Sequence, residues 1–150
     1  MLTTIEKVQF LLGISEFAEV PTEQLSHIAS ITEEIEVEPD TTLIKQDEPA
    51  EALYFVLEGE VSVRRDGREI MRYSEKEPIG IWSLFDDEQP NIATAVAVAP
   101  TRLLKIDREN FLEVVADYVE ITQGIFKSLT RRIRKVGTDI LKQPGREDSG

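Results

Sequence analysis

The sequence predicts one mainly β domain, an eight-stranded jelly-roll β-barrel with helices before and after it in the chain. Apolar residues recur at helical spacing up to residue 31 and again from residue 107, and between these points they alternate with polar residues. Turn signals separate the alternating segments at near-regular intervals, which is typical of barrels and jelly rolls. We therefore expect a single domain over 1–150, with N-terminal helices in 1–31, the barrel in 32–106, C-terminal helices in 107–141 and a disordered tail in 142–150.

Two N-terminal helices are predicted from apolar faces that have start and stop signals. The first face carries Leu2, Ile5, Val8 and Leu12. Gly13 is expected to end this helix. The second helix follows Pro21, with Thr22 as the expected N-cap. Its apolar face carries Leu25, Ile28 and Ile31.

The strands are predicted from two-residue alternation and from short apolar runs between turns. Ile35 and Val37 alternate with glutamates, and the hairpin signal Asp66-Gly67 joins two further alternating segments. The two hairpin strands are expected at 61–65 and 69–73, and the remaining strands at 41–45, 53–57, 92–99 and 101–106. The apolar, aromatic-rich run 53–57 is the expected central strand.

The C-terminal helices are predicted to begin at Asp107, a good N-cap residue. The last helix is expected over about 118–141, because six apolar residues follow one another at spacings of four, four, four, three and four. They are Ile121, Ile125, Leu129, Ile133, Val136 and Ile140. Such a stripe must pack on the barrel or on a second copy of itself, so a homodimer through the last helix is one expectation.

Composition excludes several classes of function. The chain has no cysteine and one histidine, so neither a thiol nucleophile nor a cysteine or histidine metal site is expected, and we expect no enzyme and no metal. The net charge of −12 repels nucleic acid. No signal peptide or membrane-length apolar run is evident, so we expect a cytoplasmic location or the cytoplasmic face of a membrane protein.

The order of elements resembles the cyclic-nucleotide-binding domain family over about residues 14–136. Three segments carry the resemblance. The first is 53–63 with its Glu58-Gly59-Glu60, the second runs from Ile79-Gly80 to Ile92-Ala93-Thr94, and the third is the strand and helix start of 101–111. The segment 4–11 also resembles one that precedes this domain in some bacterial nucleotide-transporter-like membrane proteins.

In the family, a short helix after the glycine faces the cyclic phosphate, an arginine neutralises that phosphate, and a glutamate accepts from the ribose 2′-hydroxyl. The resemblance therefore implies a ligand-binding cassette in this chain made of Gly80, Ile81, Trp82, Ser83, Leu84, Asn91, Ile92, Ala93 and Thr94. Gly80 matches the family glycine. Ile81 stands where the glutamate is expected and Asn91 where the arginine is expected, and the interval 77–101 contains no Lys, Arg or His. We therefore expect cAMP and cGMP to bind weakly or not at all.

Several interpretations stay open on the sequence alone. Trp82, Leu84 and Phe85 line an apolar pocket or belong to the core, and Asn91 contacts a ligand or caps its loop. Five bases of the last helix form a solvated face or a docking surface for an acidic partner or a membrane, and they are Lys127, Arg131, Arg132, Arg134 and Lys135. The chain is interpreted as a regulatory module of a larger protein or complex that acts through its last helix. The alternatives are a sensor of a less charged small molecule and the effector domain excised from a transcription regulator.

Overall fold

The computed structural model of the chain describes residues 1–86 and 88–142. Two helices, α1 (Thr4–Leu12) and α2 (Thr22–Ser30), precede the strands, and α3 (Arg108–Asp117) and α4 (Val119–Leu141) follow them. Short 3-10 turns occupy Ser15–Phe17 and Trp82–Phe85. The strands are β1 (Glu33–Val37), β2 (Thr42–Ile44), β3 (Ala52–Glu58), β4 (Val61–Arg65), β5 (Arg68–Tyr73), β6 (Pro78–Ile79), β7 (Thr94–Ala97) and β8 (Thr101–Asp107).

The eight strands form two antiparallel sheets, ordered β1-β8-β3-β6 and β2-β7-β4-β5. This confirms the predicted class, a mainly β jelly roll with flanking helices. The sequence predicts a closed barrel. Within the described residues, however, the two sheets do not close into one. Two of the edge strands are very short, since β6 has two residues and β2 has three, so they offer few backbone groups for a closing ladder.

Local differences from the sequence predictions have simple causes. Pro21, not Thr22, occupies the N-cap of α2, and no side chain caps that helix. The predicted strand 92–99 is shorter in the structure, because Asn91 and Thr94 bond to the loop after β2 instead. Strand β6 was not predicted, since two residues carry no periodicity. Residues 143–150 of the predicted tail lie outside the described residues, and the N–H of Lys142 still bonds to the carbonyl of Thr138.

The core has two layers, and β3 lies between them. Its residues Leu53 and Phe55 face the helices, whereas Tyr54 and Val56 face the space between the sheets. The helical layer also contains Phe17, Leu25, Leu104, Phe111 and Ile121, all fully buried. Burying a large apolar side chain contributes about 1.5–3 kcal/mol, so this layer holds α1, α2 and α3 and the first turns of α4 on one sheet.

Helix α4 is packed at its start and uncovered at its end. Ile121 and Ile125 are buried in the helical layer, whereas Ile133 and Val136 are 62% and 54% exposed. The predicted stripe therefore changes environment halfway along one continuous helix. Across the ranges 1–86 and 88–142, no helix has both the length and the apolar character needed to cross a bilayer.

Candidate ligand-binding pocket

An open cavity of about 440 Å³ lies between the turn after β6, strand β5 and the start of β7. Helix α4 and the 3-10 turn Ser15–Phe17 border one end. Its wall is mostly apolar. The lining residues are Ser15, Glu16, Ile44, Val63, Ile70, Met71, Tyr73, Lys76, Glu77, Pro78, Ile79, Gly80, Ile81, Trp82, Ser83, Asn91, Ile92, Ala93, Ala95 and Arg132.

Gly80 shapes the turn that leads from β6 into the pocket. Its φ of +92° lies in the left-handed region that favours glycine. A Cβ at this position would also lie 3.0 Å from Ile44 Cδ1 and 3.3 Å from the carbonyl oxygen of Ala52. The chain then enters the 3-10 turn Trp82–Phe85.

The two residues after Gly80 differ in their environment. The Ile81 side chain is buried in the helical layer of the core, and it also touches the cavity. Trp82 is 41% exposed at the mouth of the pocket, and its ring centroid lies 6.4 Å from that of Phe85. Trp82 therefore forms part of the rim of the pocket and leaves the cavity open.

Asn91, on the far side of the cavity, is hydrogen-bonded to the loop after β2. The residue is 6% exposed, and its Nδ2 donates to the carbonyl oxygens of Lys45 at 3.0 Å and Pro49 at 3.4 Å. Its backbone N–H donates to Glu48 O, and its own carbonyl accepts from Asp47 N–H, each at 2.9 Å. Both donors of the amide are thus used within the protein, which is the loop-capping role.

Most of the residues expected in the cassette line the cavity. They are Gly80, Ile81, Trp82, Ser83, Asn91, Ile92 and Ala93. Leu84 instead turns into the helical layer and is fully buried. Thr94 Oγ1 accepts from the backbone N–H of Gln46 at 3.0 Å, so this side chain serves the loop.

The structure also brings charged residues to the pocket that the cassette prediction did not include. Arg132 reaches it from α4, where its Nη2 lies 3.2 Å from Glu16 Oε1 and 3.0 Å from Ser15 Oγ. The Glu16 side chain is almost fully buried, and it also accepts from the Ser15 hydroxyl at 2.5 Å. The Arg132 side chain is 47% exposed, so it is partly solvated as well as paired with Glu16. The sequence held a signal, because Arg132 lies two turns after the buried Ile125 and so on the packed face.

Lys76 and Glu77 complete the charged end of the cavity. The stem of Lys76 packs over Gly13, with its Cδ 3.3 Å from where a Cβ would lie. Lys76 forms no ion pair with any acid in the part of the chain that the structure describes. Glu77 Oε1 accepts from the backbone N–H of Ser74 at 3.1 Å. Burial raises the pKa of the half-buried Tyr73, Glu77 and Glu16 add to this, and Arg132 opposes it.

A second cavity, of about 340 Å³, lies on the other side of Asn91. Its lysines are already paired with neighbouring acids, since Lys45 lies 3.7 Å from Glu48 and Lys105 lies 3.9 Å from Asp107. The hydroxyl of Tyr54 donates to the carbonyl of Leu43 at 3.3 Å. Burial, with Asp107 and Glu51 nearby, raises the Tyr54 pKa. Because both lysines are in ion pairs, this cavity offers an anionic ligand less than the first.

Comparison with known proteins agrees with the fold. A family model described as the cyclic nucleotide-binding domain matches residues 34–118. A CRP-like cAMP-activated global transcriptional regulator of Mycobacterium tuberculosis is 27% identical over 123 residues, which are 77% of this chain and 54% of that protein. The chain thus spans about half the length of this relative.

Solved structures show the same architecture. The N-terminal domain of a transcriptional regulator from Streptomyces coelicolor A3(2) has 27% identity and a TM-score of 0.71, over 91% of this chain and 98% of that one. A mutant regulatory subunit of a cAMP-independent protein kinase A from Trypanosoma brucei has 23% identity and a TM-score of 0.70, over 97% of this chain and 50% of that one. With more than half of its residues covered by the family model, the chain belongs to the cyclic nucleotide-binding domain family.

Proposed function

We propose that the chain is a regulatory domain whose pocket has lost, or much weakened, the binding of cAMP and cGMP, and that it acts through α4. The proposal rests on the identity and the hydrogen bonds of Asn91. This residue stands at the position of the family's arginine, and its amide already donates to the carbonyl oxygens of Lys45 and Pro49. It has no positive charge for a phosphate, and both of its amide protons are in use.

Ile81 supports the same conclusion. It stands at the position of the family's glutamate, and its side chain is 2% exposed in an apolar core. An isoleucine side chain has no oxygen that could accept a hydrogen bond from a ribose hydroxyl. A hydrogen bond to a charged group contributes about 1.5–3 kcal/mol. Losing both groups removes roughly 4 kcal/mol, or about three decades of affinity.

The relatives agree with a family in which nucleotide dependence varies. The Mycobacterium tuberculosis regulator is named as cAMP-activated, whereas the Trypanosoma brucei kinase subunit is named as cAMP-independent. One solved form of that subunit is a triple mutant bound to cAMP in its A site, and its changes introduce an arginine and remove a glutamate.

We expect calorimetric titration of the chain with cAMP and with cGMP to give dissociation constants in the millimolar range or no measurable binding. The reason is that a cyclic phosphate entering this pocket finds no cation on the loop 77–101. A cooperative thermal unfolding transition of the same sample serves as the control for folded protein. Binding of either nucleotide at low micromolar concentration would refute the proposal.

Helix α4 is the element through which we propose the domain acts, because it links the pocket to the outside of the domain. Arg132 lines the pocket and pairs with Glu16. The preceding residue, Arg131, pairs with Glu19, which also lies 3.9 Å from Lys127 Nζ. A ligand that changes the partner of Arg132 would therefore change how α4 is held on the turn Ser15–Phe17.

We further propose that two copies associate through the uncovered end of α4. Leu129, Ile133, Val136 and Ile140 follow at spacings of four, three and four, the a/d pattern of a coiled coil. They continue the stripe whose first residues, Ile121 and Ile125, are buried in the domain's own core. A second α4 that presents the same spacing would cover the exposed part.

We expect the sedimentation coefficient of the chain to rise with protein concentration, as a monomer–dimer equilibrium requires, and Ile133→Glu to abolish the rise. Burying a carboxylate in the seam opposes association. Thr138→Glu is the matched control, because it adds the same carboxylate at an exposed position of α4 that lies off the seam. A parent chain that stays monomeric at all concentrations, or equal effects of the two variants, would exclude this interface.

A second candidate function is the sensing of a less charged small molecule, which the mostly apolar cavity of about 440 Å³ favours. In either case we propose that the domain serves a larger protein or complex, and an effector domain of a transcription regulator is one such setting. The net charge of −12 is the reason we assign no nucleic-acid contact to this chain. The proposal includes no catalytic step and no cofactor, and it places the domain in the cytoplasm or at the cytoplasmic face of a membrane.

A further inference from the structure

The pocket has an apolar rim and a charged end that lie on different elements. Ile70 and Met71 on β5 and Ile92 before β7 line the cavity, yet they are 57%, 51% and 67% exposed. Trp82 adds a further half-exposed apolar surface at the mouth. Exposed apolar side chains gathered around one cavity favour a ligand with an apolar body, because its binding would remove their surface from water.

The charged end of the pocket contains two cations, Arg132 and Lys76, that keep donors for a further acceptor. The hydrogen bonds that Arg132 makes to the described residues all run through Nη2, so Nε and Nη1 remain for another acceptor. Lys76 forms no ion pair with an acid in the ranges 1–86 and 88–142. The two carboxylates at this end already accept hydrogen bonds from the protein, Glu16 from Ser15 and Glu77 from Ser74.

The charge balance sets the number of anionic groups that the pocket can take. Arg132 is partly neutralised by Glu16, and the charge of Lys76 is offset by that of Glu77 on the same turn. The free edge of the guanidinium can take one further anionic group, and Lys76 lines the same cavity. A second anionic group would face Glu16 and Glu77 without a cation of its own.

We propose that the ligand of this pocket is a small molecule with an apolar body and a single anionic group, and that the anionic group lies at Arg132 and Lys76. The apolar body would lie against Trp82, Ile92 and Met71. This inference rests on the proposed function, since it assumes that the pocket is a regulatory site that does not hold a cyclic nucleotide. The ligand's charge is then recognised by Arg132 on α4 and by Lys76 before β6 rather than on the loop 78–94, so binding acts directly on the Arg132–Glu16 pair.

The test uses two dyes of nearly the same shape, 8-anilinonaphthalene-1-sulfonate and the uncharged N-phenyl-1-naphthylamine. Each is titrated into the folded chain at low salt while the dye's fluorescence is measured. We expect the sulfonate to bind at least tenfold more tightly than the neutral dye. We expect Arg132→Gln to weaken the sulfonate by about tenfold to a hundredfold, the range of one hydrogen bond to a charged group, and to leave the neutral dye unchanged.

Two further variants separate the pocket from other surfaces. Arg134→Gln is the matched control, since Arg134 is an exposed base on the same helix that does not line the cavity, and its dye affinities should equal those of the parent. Ile70→Asn should weaken both dyes. Because Arg132→Gln leaves the buried Glu16 without its partner, the double change Glu16→Gln with Arg132→Gln is measured as well and should show the same selective loss.

Three results would overturn the inference: equal affinity of the two dyes, equal effects of Arg132→Gln and Arg134→Gln, or restoration of sulfonate binding in the double variant. These failures are distinct from failure of the proposed function. That proposal fails if the parent chain binds cAMP or cGMP at low micromolar concentration, whatever the dyes do. If neither nucleotide binds and the sulfonate shows no dependence on Arg132, only the ligand class proposed here is wrong.

Discussion

Replacing Gly124 with alanine is expected to lower the free energy of unfolding, whereas the same replacement at Gly137, on the same helix, is expected to raise it. At Gly124 the new Cβ would lie 2.7 Å from Val20 Cγ2, 2.8 Å from Val20 Cα and 2.9 Å from the carbonyl oxygen of Glu19. Two of these atoms belong to the backbone, so the contact can be relieved only by moving α4. Overpacking of this kind costs about 1–3 kcal/mol, and we expect the upper end.

Gly137 provides the matched control because a Cβ there meets no described atom within 4 Å. Alanine is favoured over glycine in a helix by about 1 kcal/mol, and this gain applies equally at both sites. The difference between the two variants therefore isolates the packing of α4 on Val20. Urea denaturation followed by circular dichroism measures both free energies. If the two variants are equally stable, α4 does not approach the domain as closely as the structure indicates.

Helix α4 illustrates which features can be predicted from sequence. Its bounds, Val119–Leu141, agree with the predicted 118–141 because a long apolar stripe with helical spacing has no other regular structure that buries it. The part of the stripe that is buried could not be predicted in the same way. It depends on where Gly124 meets Val20, a contact between segments about a hundred residues apart.

The pocket shows the same division between local and distant information. The loop residues Gly80 to Ser83 and Asn91 to Ala93 were predicted from a local pattern, and they line the cavity. Arg132 was missed because its role depends on Glu16, which is distant in sequence and becomes its partner only when α4 docks. Leu84 was assigned to the cassette with the core as the alternative, and its side chain is buried in the helical layer of the core.

Introducing arginine at position 91 and glutamate at position 81 is expected to restore cyclic nucleotide binding. Asn91→Arg alone should improve cAMP affinity by roughly tenfold to a hundredfold, through charge-assisted hydrogen bonds to the phosphate. Combined with Ile81→Glu, which adds an acceptor for the ribose hydroxyl, the gain should reach about three decades. Calorimetry with cAMP and cGMP at millimolar concentration measures the series.

Both changes also disturb the fold, so the design must separate binding from unfolding. Asn91→Arg removes the hydrogen bonds to Lys45 and Pro49, which costs about 1–3 kcal/mol, and Ile81→Glu introduces a carboxylate into an apolar core. Thermal unfolding of each variant shows whether it remains folded at the titration temperature. Asn91→Gln is the matched control, since it disturbs the same loop without adding charge and should give no gain.

The affinities of the three variants together show whether the pocket keeps the family's geometry and whether Ile81 and Asn91 correspond to the family's glutamate and arginine. Gain with arginine but not with glutamine, and further gain in the double variant, would mean that the pocket kept the family's geometry and lost only its two recognition groups. If the variants stay folded and none binds, Ile81 and Asn91 do not correspond to the family's glutamate and arginine. The absence of nucleotide binding would then have to come from the shape of the cavity, where Trp82 and Ile92 present apolar surface.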